Sequence, residues 1–135
     1  MDNTWYSTLE TRIFSRVKSE TEPKLKTKYP TIFYTTSGSN KGTPVFPTVY
    51  IHELPGYEMG QDLVGEDINA VMETIQVEVI TDTNQLDARK IMAEIVSSIK
   101  GMRFHVQTMP SFENGTTYFR QICRCRRIIG NGEEL

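Results

Sequence analysis

The chain has 135 residues, 38% of them apolar and 24% charged, with a formal net charge of −2. That length suits a single domain around one core, and the near-neutral balance makes no global case for nucleic acid or an acidic membrane as partner. No apolar run approaches the ~20 residues of a membrane span, and Met1-Asp2-Asn3-Thr4 lacks the basic and apolar regions of a signal peptide, so synthesis and folding in a cytoplasm are expected.

Asp2, Asn3 or Thr4 is placed to cap a first helix. Trp5, Tyr6, Leu9, Ile13 and Val17 fall on one helical stripe, with Phe14 beside it at the edge of the core or at a contact with another subunit. Pro23 disfavours helical geometry at Glu22, which predicts that the helix ends or kinks there. Thr31–Thr36 is β-branched and aromatic and predicts a strand. Ser37–Pro44 has the composition of a flexible loop. Pro47–Glu53 predicts a second strand, with Val49 and Ile51 on one face and Thr48, Tyr50 and His52 on the other. Residues 54–69 contain three glycines, one proline and four acids and predict a long polar loop, with room for a small hairpin; loops of this length are usually functional or disordered.

Ala70–Thr81 predicts the longest strand, with Val71, Ile75, Val77 and Val79 opposite Thr74, Gln76 and Glu78; such alternation predicts a sheet with one face buried and one wet. A second helix follows, capped by Asp82 or Thr83 with Gln85 as capping-box partner. Ala88, Ile91, Met92, Ile95, Val96 and Ile99 form its apolar stripe. Lys100 suits the negative end of the dipole, and Gly101 suits the position after the last turn. Met102–Thr108 predicts strand four, Pro110–Gly115 a turn, and Thr117–Ile129 strand five. On that last strand Phe119, Cys123 and Cys125 face one way and Arg120, Arg124 and Arg126 the other. Residues 130–135 form a polar tail. The sum is an α+β fold over residues 1–135: a mostly antiparallel sheet with two helices packed on one face, in the order helix, three strands, helix, two strands.

No catalytic or metal-binding constellation emerges. Cys123 and Cys125, the only cysteines, are badly oriented for bonding each other and too few for a structural zinc site; they read as reduced, packed thiols. The acids Glu58, Asp62, Glu66 and Asp67 sit among glycines with no apolar surroundings to tune a carboxyl for acid–base work. Ser37–Gly42 lacks the spacing of a phosphate loop. The basic run Phe119–Arg127 offers alternating arginines that can track phosphates, with Tyr118 as a stacking surface, or pair with acids across the sheet or across a subunit boundary. The acidic balance of the chain favours pairing.

Residues 28–30 (KYP), 35–37 (TTS), 46–54 (FPTVYIHEL), 68–72 (INAVM), 98–104 (SIKGMRF) and 124–130 (RCRRIIG), in this order and on this plan of elements, carry a resemblance to the tail-terminator, or tail-completion, proteins of long-tailed (siphovirus-type) bacteriophages. The resemblance spans nearly the whole chain; at Cys123 and Cys125 relatives carry bulky or polar residues, so it assigns the thiols no role. It implies a structural virion protein, not an enzyme, with no cofactor. Such a protein assembles with itself as a hexameric ring, caps the major tail tube protein, ends tube polymerisation and meets a head–tail connector protein. DNA then passes only as cargo through the lumen, no membrane is involved, and the location is the virion tail, assembled in the host cytoplasm.

Polymer termination needs a subunit that binds the growing end and offers no copy of it, and a closed ring with two unlike faces does this. Candidate subunit or tube contacts are Tyr57, Glu58, Met59, Asp62, Glu66 and Asp67 in the long loop, since mobile loops order on meeting a partner. Residues 37–44 are a second candidate segment. Arg120, Arg124 and Arg126 are candidates for a subunit interface or the lumen. The alternatives are a head–tail connector or stopper protein of the neck and a nucleic-acid-binding α+β domain.

Overall fold

The computed structural model describes residues 2–38, 45–61, 63–114 and 117–135. A 3-10 turn over Trp5–Thr8 leads into helix α1, Leu9–Leu25. Neither start is closed by a side-chain cap; Asp2 instead accepts from the backbone N–H and hydroxyl of Thr4. Leu9, Ile13, Val17, Thr21 and Leu25 are buried, one residue per turn, so the core-facing line is straight. The sequence places the end or a kink at Pro23, yet the helix runs through it to Leu25. Pro23 is exposed and lies in the last turn. Burial of Thr21 and Leu25 on either side, with Lys26 N–H donating to Glu22 C=O at 2.8 Å, outweighs one missing donor.

Strand β1 (Phe33–Thr35) pairs in parallel with β2 (Thr48–Met59), and β2 pairs antiparallel with β3 (Ala70–Thr81). Helix α2 (Gln85–Gly101) then crosses the sheet before β4 (His105–Phe112) and β5 (Phe119–Gly130) close it, in the spatial order β1-β2-β3-β5-β4. All pairings except β1–β2 are antiparallel. The class and element order read from the sequence are those observed. Val49, Ile51, Ile75, Val77, Val79, Cys123, Cys125 and Ile129 line one face and share a single core with Ile13 of α1 and Ile91, Met92, Ile95 and Ile99 of α2. Both cysteines are free and buried, their sulfurs 3.8 Å apart. Phe14 packs at the edge of this core.

Four local expectations change. The cap of α2 is Asn84, one residue later than read, because Asn84 adopts extended geometry and accepts from Asp87 N–H at 2.8 Å. Thr83 binds the Asp87 carboxylate instead, and that hydroxyl holds the carboxyl below its ordinary range. At the other end Gly101 is still helical, and the left-handed residue is Arg103, at φ 64°. Strand β4 starts at His105 rather than Met102, since Met102 and Phe104 are spent filling the core. It continues through Pro110 to Phe112, where a turn was expected. The register of β4 against β5 shifts twice, and an edge strand with bulges accommodates a proline.

The fourth change concerns residues 54–69. The loop is shorter than read: β2 continues to Met59, residues 57–59 pair with 70–72 of β3, and the connection spans 60–69. The register slips between Leu54 and Tyr57, so Pro55-Gly56 forms a bulge within a strand instead of a turn. A Cβ on Gly56 would lie 2.1 Å from the Met72 carbonyl oxygen, so the close approach of the two strands requires glycine there. Residues 70–72 pair with 128–130 of β5 as well, so this extension stays within the sheet, and the arm is the connection 60–69 that leaves its end. Its returning limb is tied down: Asn3 donates to Glu66 C=O (2.8 Å) and accepts from Ile68 N–H (2.9 Å), and the Trp5 indole donates to Ile68 C=O (2.8 Å).

Candidate functional site

Because both helices lie on one face, the other face of the sheet is free of them. It carries Thr48, Tyr50 and His52 from β2, Gln76 and Glu78 from β3, and Arg120, Arg124 and Arg126 from β5. Glu78 is the hub. It is 4% exposed, pairs with the Arg120 guanidinium, and accepts from the Gln76 amide at 3.3 Å. His52 Nδ1 lies 3.8 Å from its other oxygen, too far for a hydrogen bond. Burial holds the His52 imidazole below its ordinary range, with the nearby Glu78 carboxylate pulling the other way. The ring stacks on Tyr50 with centroids 4.2 Å apart.

The arginines therefore divide. Arg120 is taken up by Glu78 and Glu113, and Arg124 donates to Gln76 at 2.8 Å. Arg126 is exposed and, among the described residues, has no ion-pair or hydrogen-bond partner. Pairing across the sheet, favoured by the acidic balance of the chain, is the geometry at Arg120. Beside this cluster a cavity of about 370 Å³ is walled by Phe33, Phe46, Tyr50 and Tyr118, with Glu78 and Arg120 at its polar side. Tyr118 stacks against Phe46.

The end of β2 and the arm that follows it hold the second group of candidates. Tyr57 is exposed on β2, Glu58 accepts from the Gln61 amide at 2.9 Å, and Met59 ends the strand. Glu66 is exposed and Asp67 half-buried on the limb bound by Asn3. Asp62 lies outside the described residues, as does most of 37–44. At the tip Leu63 is fully exposed and Val64 72% exposed. Sequence reading passed over both, although they are the apolar pair in an otherwise acidic and glycine-rich run.

It also passed over an acidic group at the root of the arm. Glu73 shares strand parity with Val71, Ile75 and Val77 and is therefore on the core face, 5% exposed. An acid where the alternation calls for an apolar residue was the available signal. Burial above all, then a hydrogen bond to the Glu53 carboxylate and the charges of Glu53 and Glu10, pushes its carboxyl up to about 9. Glu10 of α1 reaches the same place and accepts from Glu53 N–H at 2.9 Å. Among the described residues, no group of three or more His, Cys, Asp or Glu is placed to hold a metal ion, and no helix is long and apolar enough to cross a membrane.

No family model matches the chain, and no curated protein matches it. A solved structure whose name states no function is similar at 12% identity and a TM-score of 0.49, over 89% of this chain and 94% of that one.

Proposed function

We propose that the chain is a structural subunit of a phage tail: copies of it close into a ring that caps the tail tube, ends tube polymerisation and presents a surface toward the head. The resemblance in sequence suggests which assembly it serves. The observation that carries a role in assembly is the arm, whose tip turns Leu63 and Val64 to solvent while its root is fixed by Asn3 and Trp5. Large apolar side chains held out on a braced hairpin lose water only against another molecule. The helix-free sheet face, with its aromatic cavity and the free charge of Arg126, offers a second contact surface distinct from the first. Two unlike surfaces on one subunit are what a closed heterologous ring uses.

The test is native mass spectrometry over a range of concentrations, followed by binding to purified tail tubes. A closed hexamer that attaches to tube ends is the expected result. Attachment to the portal complex in place of the tube would make the chain a neck connector. A monomer with no affinity for tubes would sink the ring reading. Binding to DNA with a steep salt dependence is the mark of the nucleic-acid alternative, which loses support from the internal pairing of Arg120 and Arg124.

A further inference from the structure

Beneath the arm lies a pocket of about 270 Å³ whose walls include Tyr6, Leu54, Tyr57 and Ile68 and whose polar side is Glu53 and Glu73. Two of its lining carboxyl groups, those of Glu53 and Glu73, lie together, with Glu58 also on the wall and Glu10 nearby on α1, and among the described residues none of the four is paired with a lysine or arginine. One Glu73 oxygen, Oε1, is buried and has no hydrogen-bond partner. The nearest cation in the ladder does not supply one. Arg127 is opposite Glu73 on β5, but it donates to Met102 C=O at 3.0 Å, to the Glu133 carboxylate at 2.9 Å and to Glu134 C=O at 3.0 Å. A buried acceptor without a donor is costly; the proton that Glu73 shares with Glu53 relieves the repulsion between the two carboxyl groups and leaves Oε1 still without a donor.

We propose that this pocket receives a lysine or arginine side chain of a partner chain, its alkyl stem against Tyr6, Leu54 and Tyr57 and its charged head on Glu53 and Glu73. The walls suit a stem that is apolar with a cationic end, and the tyrosine rings add attraction for the cation. A protein side chain, rather than a free amine, fits because the pocket shares Ile68 with the arm, whose tip exposes Leu63 and Val64. A chain that delivers the cation also covers those residues. The inference holds whether or not the partner is a ring or tube subunit.

Seating the cation ionises Glu73, so a proton leaves as the ligand binds. The other titratable or charged groups facing it are Glu10 from α1, Glu53 and Glu58 from β2, Arg127 from β5, and Tyr6 and Tyr57. Affinity should therefore rise with pH by up to about tenfold per unit below the Glu73 value. The experiment is a carbon-detected titration of glutamate-labelled protein with doubly blocked lysine and arginine at concentrations on the order of 10 mM, blocked norleucine serving as the apolar control. The expected result is a saturable shift at Glu73 and Glu53, stronger at pH 8 than at pH 6 and absent with norleucine, with the Glu53 shift abolished in Glu73→Gln. An equal response to norleucine, no response to either cation, or an undiminished response at Glu53 in the variant overturns the proposal. A markedly tighter response to free putrescine than to blocked lysine would overturn the assignment to a protein side chain.

Discussion

Glu73 occupies a position on β3 that Val71 and Ile75 surround with apolar packing, and its carboxyl stays protonated at neutral pH because burial and two neighbouring acids oppose its charge. The unfolded chain has no such opposition and ionises at the ordinary glutamate value, near 4.3. Between there and about 9 the unfolded state therefore binds fewer protons than the folded state, and this group's contribution to stability falls as pH rises. Glu73→Gln keeps the shape and removes the titration. Its stability should exceed that of the parent by roughly 3–4 kcal/mol at pH 7 and converge with it near pH 4. Urea melts of both proteins across that range check the sign; a difference independent of pH would mean the carboxyl does not titrate as described. Arg127 is a second ionisable group on the core face, and its charge is stabilised there by one carboxylate and two carbonyls instead of by the acid opposite.

Helix α2 shows how an element can be identified correctly while its ends are misplaced. Six residues, Ala88 to Ile99, define its apolar stripe, and five of them are fully buried; the start depends on one backbone conformation. Asn84 is the extended residue whose side chain meets Asp87 N–H. Asn84→Ala should lower stability by about 1 kcal/mol, whereas Asp82→Ala, at an exposed position outside the cap, should change it by less than about 0.5 kcal/mol. Thermal or chemical denaturation of the two variants separates them, and the reverse order would return the cap to Asp82. The arm teaches a related lesson. Pro55-Gly56 carries the composition of a turn, but the strands continue past it because the extra residues are absorbed as a bulge and Gly56 lets the Met72 carbonyl approach.

At the scale of the whole molecule, one sheet face is consumed by the helices and the other is left with Glu78, His52 and the arginines. The arm adds a third surface at one end. If the arm tip contacts a neighbour, replacing Leu63 and Val64 together by aspartate should leave the thermal transition of the isolated subunit unchanged. It should weaken self-association or tube capping on the order of tenfold or more, since every 1.4 kcal/mol of lost contact is a factor of ten. Sedimentation at matched concentrations reads this, and undiminished assembly would remove the tip from the interface. Arg124→Glu addresses the open face. Arg124 is exposed and, among the described residues, bonded only to a neutral amide, so reversal should weaken the ring roughly tenfold at low salt and less at high salt. An indifferent assembly would make that face a solvated one.

Class, the order of helices and strands, and the core side of β2, β3 and β5 were legible from local pattern, because periods of 3.6 and 2 are consequences of backbone geometry and hydrophobic burial. The opposition of Cys123 and Cys125 to Arg120, Arg124 and Arg126 was legible for the same reason. Tertiary structure alone decided that Arg120 belongs to Glu78 forty-two positions away, that Asn3 and Trp5 hold the limb near Ile68, and that Glu10, Glu53 and Glu73 meet under the arm. Each of these depends on register between strands and on where a helix lands. Those are set by the packing of the entire core, and no window of neighbouring residues contains them.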